Sequence, residues 1–432
     1  MAAAFKPLMP LDEAWSRLSA AVVDHLGQQP LLTEPVDSFD ALGRVLAESL
    51  VSPVDVPPLD NSAMDGYAVR AADLAQAGQA GVPATAVTLP KAQRIAAGQV
   101  GVTLQPGTCA RIFTGAPVPD GADAVVMQEH TTADAASDTV RFNEVVKLGQ
   151  NIRRRGEDIA QGQTVLHAGV RLSAAAMGVA ASVGAAQLNV FRRPRVGVLT
   201  TGNELVMPGA SLPPGAIYNS NRHTLRGLVQ ATGAMANDLG VVPDDLDATR
   251  SALRAAAEQS DLIISSGGVS VGEEDHLRNA VLDEGGLDFW ALAIKPGKPF
   301  VFGWIRRADG SRALYMGLPG NPVASFVTFL LLVRPVLGVL AGEGWHLPRA
   351  TSLVADFHWP KPDKRREFLR ARLQADGQVV LHPHQGSGVL SSAAWSEGVV
   401  DLSPNTMVAP GDVVSFIPMS ELLQPGSAAL QP

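Results

Sequence analysis

The run Ser265-Ser266-Gly267-Gly268-Val269-Ser270-Val271-Gly272-Glu273-Glu274-Asp275 sets glycines, serines and acids in one loop. Its backbone N–H groups suit a phosphate, and its carboxylates suit a hard divalent cation. Ser270 and Glu273 have capping-box spacing, so Ser270 is expected to cap a helix whose free N–H groups stabilise an anion. Read alone, a plain turn with a good cap explains the loop better. Its neighbours change the balance. Thr200-Thr201-Gly202-Asn203-Glu204-Leu205 and Pro243-Asp244-Asp245 also place acids after apolar runs. Mg2+ takes one or two carboxylates, with waters and substrate oxygens completing the shell, so Glu204, Asp244 and Asp275 are candidate metal ligands. Singly, each reads as a helix-start acid; jointly, a metal is the better reading. In Ile294-Lys295-Pro296-Gly297-Lys298-Pro299 two lysines, common phosphate binders, lie three residues apart in a turn. In Gly317-Leu318-Pro319-Gly320-Asn321-Pro322, Asn321 fits a helix N-cap and Pro322 the first helical position.

These loops need a scaffold. From Arg195 to about Leu340 strands and helices alternate: strands at Arg195–Thr200, Leu239–Val242, Leu262–Ser265, Phe289–Ile294 and Phe300–Trp304, helices at Asn221–Gln230, Leu246–Gln259 and His276–Leu282. A long buried helix follows from Val323. Such alternation predicts a doubly wound α/β domain with a parallel sheet, whose ligands sit at the carboxyl ends of the strands. Leu11 to Leu26 has helical spacing, and a short helical piece is expected at Phe39–Glu48. Residues from about 80 to 148 read as β-rich, and those from Trp345 onward as a small β-barrel-like domain. Thr114 falls in the first of these, with Asp60 and Asp65 before it and the knot Arg153–Asp158 after it in the same β-rich segment of the chain. Arg366, Arg370, His384 and Ser387 fall in the second. By residue type alone all of them read as surface positions. His382-Pro383-His384 lacks the third ligand of a transition-metal site.

The 432 residues are 46% hydrophobic and 18% charged, with a formal net charge of −8. That describes a globular chain of two to four domains with no global attraction for nucleic acid or anionic membranes. A single cysteine, Cys109, rules out an intrachain disulfide and suits a reducing cytosol. The N-terminus lacks the apolar core of a signal peptide, and Arg334 and Pro335 interrupt the most apolar run, so no spanning helix is expected. No Ser-His-Asp or Cys-His arrangement is visible, so covalent catalysis is not expected.

The motifs taken in order resemble those of the molybdopterin molybdenumtransferases, the family of MoeA and the gephyrin E-domain. The resemblance rests on Asp60-Asn61-Ser62-Ala63-Met64-Asp65-Gly66-Tyr67-Ala68, Ile112-Phe113-Thr114-Gly115-Ala116, Gly121-Ala122-Asp123 and Gly156-Glu157-Asp158. It continues through Thr201–Leu205, Ser265–Gly272, Lys295–Pro299, Leu318–Pro322 and His384-Gln385-Gly386-Ser387, and spans about residues 10 to 420. One departure is Ala291, where members often carry lysine after the Phe-Trp pair; Lys295 and Lys298 remain.

The resemblance implies insertion of molybdate into adenylylated molybdopterin, with Mg2+-dependent release of AMP. It implies an elongated, cytoplasmic homodimer whose cleft is shared between subunits, and a molybdopterin-binding α/β domain. The expected partition is 1–45 with 159–192 as a linking domain, 46–158 as a β-rich domain, 193–344 as the α/β domain and 345–432 as the barrel domain. The molybdopterin adenylyltransferase and recipient molybdoenzymes are candidate partners. By motif position Asp60, Asp158, Glu204, Asp275 and Lys295 are expected in catalysis. Thr114, Gly267, Gly268, Ser270, Gly272, Lys298, Pro319, Asn321, Pro322, Arg370 and Ser387 are expected to hold the substrates, with Asp244, Asp275 and Glu204 on the metal. Two alternatives stay open: a non-catalytic molybdopterin-binding scaffold, and the adenylyltransferase itself. Three metal-ready acids argue against the first, and the two added β domains against the second.

Overall fold

The computed structural model describes residues 8–75, 87–144, 146–268 and 276–424. The chain divides into two compact units. One comprises Met1–Glu48, Ala168–Ser173 and Leu188–Pro432; the other comprises Ser49–His167 and Ala174–Gln187.

The larger unit is built on a six-stranded sheet, labelled here in chain order: β1 (Arg195–Thr201), β2 (Met235–Val242), β3 (Leu262–Ser266), β4 (Gly285–Ala291), β5 (Pro299–Arg306) and β6 (Arg312–Leu318). The spatial order is β2-β1-β3-β6-β5-β4. β2, β1, β3 and β6 run parallel, as the alternating pattern predicts. The edge differs from expectation: β5 runs antiparallel to both of its neighbours, β6 and β4, and β6 was not apparent as a strand. The Arg307–Ser311 turn joins β5 to β6 without a crossover helix, so the alternation that signals a parallel strand is missing there.

Both faces are covered. Successive residues of β3 point opposite ways: Leu262 and Ile264 enter one core, Ile263 the other. The first core holds α1 (Leu11–Gln28) through Leu11, Ala14, Leu18 and Val22, together with α2 (Ser220–Ala231). The second holds α3 (Leu246–Gln259) and α4 (His276–Glu284). The apolar run Pro322–Leu340 forms one helix, α5, 94% buried in the first core, so its length and hydropathy serve a protein interior. Inside α5 a π segment, Phe329–Val333, precedes Pro335, and the Arg334 N–H reaches back to the Phe329 carbonyl. Pro335 has no hydrogen to offer Leu331 one turn back. The Trp15 indole of α1 donates to that carbonyl instead, at 2.7 Å.

Residues beyond α5, together with Ile294–Lys295, form a second sheet. Ile294–Lys295, Arg366–Leu373, Gly398–Leu402, Val413–Pro418 and Thr351–Val354 are neighbours in that order, with Val379–Leu381 on Arg366–Leu373. A bridge from Ala355, just after Thr351–Val354, to Val379 closes the sheet back onto Arg366–Leu373, which gives the expected barrel-like closure.

The smaller unit carries a six-stranded sheet in the order Ala124–Met127, Gly66–Val69, Cys109–Ile112, Val87–Ile95, Thr139–Phe142 and Thr131–Asp134. The helical piece expected at Phe39–Glu48, in the larger unit, is not there. Only Ser38–Asp40 makes a 3-10 turn, capped by the Asp37 carboxylate. Gly43 then takes φ 71°, and Val45 and Leu46 form bridges with Arg171 and Val190.

Candidate active site

Strand register fixes the first half of the site. Thr201 at the end of β1 lies opposite Val242 on β2, Thr200 opposite Ser266 on β3, and Ser266 opposite Leu318 on β6. The loops beginning at Gly202, Pro243, Gly267 and Pro319 therefore leave one edge of the sheet. From β1 the chain moves outward to β2 and returns across to β3, so the edge carries a topological switch point, where ligands of such sheets bind.

Glycines let these loops converge. Gly267 and Gly268 hold φ of 91° and 62°. A Cβ on Gly267 would stand 3.1 Å from the Thr201 carbonyl oxygen, and one on Gly320 would stand 3.8 Å from Gly267 Cα. Asn221, in the first turn of α2, ties the loops together: its Nδ2 donates to Ser266 Oγ and to the Gly320 carbonyl, both at 2.7 Å. Asn219 caps α2 by accepting from the Arg222 N–H, and its amide donates to Thr200 Oγ1 at 2.8 Å. Neither asparagine was picked out in the sequence as a site residue. The Asn219 cap preference before an amphipathic helix was the available signal.

Glu204 and Asp244 stand exposed at the ends of adjacent strands. The Glu204 carboxylate turns back over Gly202, 2.5 Å from where a Cβ would be. Asp245 is consumed as the cap of α3, accepting from the Ala248 N–H at 2.8 Å. Ser270, Gly272 and Asp275 lie outside the described residues. Among the described residues, no three His, Cys, Asp or Glu side chains gather in metal-binding fashion.

Lys295, the start of α5 and Arg370 each make contacts that the sequence did not foresee. Lys295 does not present a free ammonium to the sheet edge: its Nζ lies 3.0 Å from Glu367 and 3.3 Å from Asp363. The cause is strand pairing, since Lys295 sits opposite Glu367 in parallel register. Asn321 and Pro322 do start α5, but the Asn321 side chain makes no cap bond. The Val323 N–H is already used by the Ser387 carbonyl at 2.9 Å, which removes one anion donor and brings Ser387 to the first turn of α5. Arg370 is wholly buried. Its guanidinium donates to Ser392 Oγ, the Phe368 carbonyl and the Gly386 carbonyl, and burial brings its pKa down to about 10. It stands behind the His384–Ser387 loop and holds it, rather than facing a ligand. Lys298 is exposed at the turn, where its carbonyl accepts from the Leu292 N–H.

The smaller unit gathers a second constellation from three separate segments. Asn61 and Ser62 pair with Arg153 and Ile152, and Ser62 exchanges backbone bonds with Gly115 and Ala116. Asp60 accepts from the Arg155 N–H at 2.8 Å and from Arg154 Nη1 at 2.6 Å, which hold its carboxyl below the usual range. Asp65 accepts from the Thr114 N–H and hydroxyl at 2.7 and 2.8 Å and is lowered likewise. Asp158 is exposed on the same loop, its N–H bonded to the Val56 carbonyl. Beside Thr114, the Arg94 and Arg111 guanidinium groups each lie over the Phe113 ring, at 4.5 and 4.7 Å, contacts not anticipated from the sequence. Cys109 is buried, and its thiol is pushed up to about 12, which fits an inert side chain.

The chain matches three family models in register with this geometry. They are the MoeA N-terminal region, domains I and II, over residues 9–184; a probable molybdopterin binding domain over 197–338; and the MoeA C-terminal region, domain IV, over 352–419. A molybdopterin molybdenumtransferase of Haemophilus influenzae is 38% identical over 423 residues, covering 96% of this chain and all of that protein. The chain belongs to the molybdopterin molybdenumtransferase family. A Bacillus subtilis member is 36% identical over 383 residues, 87% of this chain and 85% of that protein. A crystal structure of a molybdopterin biosynthesis MoeA protein from Pyrococcus horikoshii superposes with a TM-score of 0.79 at 28% identity, covering 95% of this chain and 100% of that one. Within this family frame Ala291 ends β4 opposite Pro299, and its carbonyl accepts from the Met9 N–H.

Proposed function

We propose that this protein inserts molybdenum into molybdopterin, taking adenylylated molybdopterin and molybdate and releasing AMP in a Mg2+-dependent reaction. The observation that carries the reading is the shared edge where the Gly202, Pro243, Gly267 and Pro319 loops emerge together. Backbone N–H groups of the Gly267 loop bind phosphate there. Glu204 and Asp244 fit a magnesium ion, because both are exposed carboxylates on neighbouring strand ends, and Mg2+ needs only one or two beside substrate oxygens. Asp275 is proposed as a further ligand. Bound magnesium would polarise the pyrophosphate bridge. Lys298 offsets phosphate charge, and Lys295 orients the turn that carries it. Gly268, Ser270, Gly272, Pro319, Asn321 and Pro322 line the pterin and phosphate site. Ser387 contacts molybdate, with Arg370 fixing its loop from behind. Asp60, Thr114 and Asp158 act from the smaller unit, in a homodimer whose cleft draws on both subunits. The four-domain partition given above and a cytoplasmic location belong to the same reading.

The test is AMP release from adenylylated molybdopterin on adding molybdate, with and without Mg2+. Release that needs both, and that falls at least a hundredfold in Glu204→Ala, Asp244→Ala or Asp275→Ala, is expected. Tight substrate binding with no molybdate-dependent AMP would leave a carrier and refute the enzyme. ATP turnover with bare molybdopterin would instead favour the adenylyltransferase.

A further inference from the structure

The opposite, amino-terminal edge of the α/β sheet holds a cavity of about 340 Å³. Arg195 begins β1, Asp261 precedes β3, and Arg307 lies on the turn between β5 and β6, so their ends of the strands face away from the candidate active site. Seven residues of β1 separate the two edges by roughly 20 Å.

The charges in this cavity do not balance locally. Arg192, Arg195 and Arg307 all approach one oxygen of Asp261, at 3.3, 3.2 and 4.0 Å. None of these pairs has the two-pronged geometry of a saturated guanidinium–carboxylate contact. Arg195 Nε is buried with no partner. The Arg307 guanidinium is anchored to the Ala257 and Ser260 carbonyls and to Gln29 Oε1, so its charge is fixed in place. Asp309, on the same turn, accepts from the Ser311 N–H and hydroxyl and is the second carboxylate of the lining.

His25 reports the resulting field. It sits in the last turn of α1, where the helix dipole favours a protonated imidazole. Its pKa is nevertheless lowered, first by burial and then by Arg307 and Arg312, with Asp261 and Asp24 pulling the other way. The lining also includes the apolar residues Leu26, Leu31, Pro194 and Leu340. Guanidinium forks match phosphate oxygens, and the volume exceeds what inorganic phosphate needs.

We propose that this cavity binds a small phosphomonoester with an apolar body, held by Arg192 and Arg195 and packed against Leu26, Leu31 and Leu340 of the lining. The site is separate from the candidate active site, and its test does not depend on that assignment.

Calorimetry and NMR of His25 on the full chain test it, with inorganic phosphate and phenyl phosphate as probes. Phenyl phosphate is expected to bind at least tenfold more tightly than inorganic phosphate and to raise the His25 titration midpoint, because the dianion offsets the arginine field. Arg192→Gln is expected to weaken binding about tenfold. Arg192 donates to a single partially exposed carboxylate here, so this variant keeps the fold. An unmoved His25, or equal affinity in Arg192→Gln, would place any bound phosphate elsewhere and overturn the proposal. Equal affinity for the two probes would overturn the apolar body.

Discussion

The ammonium of Lys295 stands 3.0 Å from a carboxylate oxygen of Glu367, whose side chain is 2% exposed. The other Glu367 oxygen accepts from the Trp359 indole at 3.0 Å and the Asp363 N–H at 3.2 Å. Lys295 thus neutralises an acid held in the barrel sheet, and the lysine turn is pinned to that sheet.

Removing the lysine should therefore act on stability before it acts on phosphate. Lys295→Ala leaves the Glu367 carboxylate buried without its cation, a loss on the order of 2 kcal/mol once the lysine's own exposure is allowed for. Glu367→Gln in the same chain should recover much of it. Urea unfolding followed by tryptophan fluorescence reads this out. All six tryptophans, Trp15, Trp290, Trp304, Trp345, Trp359 and Trp395, lie in the larger unit. Additive losses in the double variant would contradict the pairing.

Two glycines on facing loops should respond differently to the same methyl group. Gly267→Ala forces a left-handed residue and sets Cβ 3.1 Å from the Thr201 carbonyl oxygen, costing about 1–3 kcal/mol and reshaping the phosphate loop. Gly320→Ala meets nothing nearer than 3.8 Å. Thermal melts should separate the two, with Gly320→Ala within 1–2 °C of the parent.

Much of this arrangement was legible in the sequence because it follows from local pattern. The alternation from Arg195 to Leu340 gave the α/β layer, and the strand-end positions of Glu204, Asp244 and Gly267 followed from it. What escaped was set by pairing between distant segments. No spacing rule links Lys295 to Glu367 or Val323 to Ser387. Arg370 read as a surface cation, yet Phe368, Gly386 and Ser392 enclose it completely. β6 was missed because its apolar run follows a tight turn instead of a helix.

Acid should loosen the constellation in the smaller unit. Asp60 and Asp65, and Asp55, which accepts from the Gln161 N–H and from Arg155 Nε, all have carboxyls held below their ordinary range. A depressed folded-state pKa adds stability that is present above the unfolded value, near 4, and is lost as pH falls through the lower folded value. For Asp60 the largest single cause is the Arg155 N–H, and the Arg154 guanidinium adds a hydrogen bond and its charge. Arg154→Ala should therefore raise the Asp60 midpoint only part of the way to the ordinary range, measured by carboxyl NMR. A full return, or no movement, would refute a carboxyl held by both groups.

Arg370 gives the sharpest separation of positioning from contact. Its three acceptors are an alcohol and two backbone carbonyls, so the planar fork supplies the geometry as well as the charge. Lysine keeps the charge but cannot reach all three acceptors. Arg370→Lys should cost about 2–3 kcal/mol and loosen the Gly386–Ser387 loop, whose Ser387 carbonyl receives the Val323 N–H. Faster hydrogen exchange at Val323 in Arg370→Lys is the specific readout. If Arg370 instead touched molybdate directly, Arg370→Lys would raise the molybdate KM while leaving Val323 protection unchanged, because the loop would still cap α5.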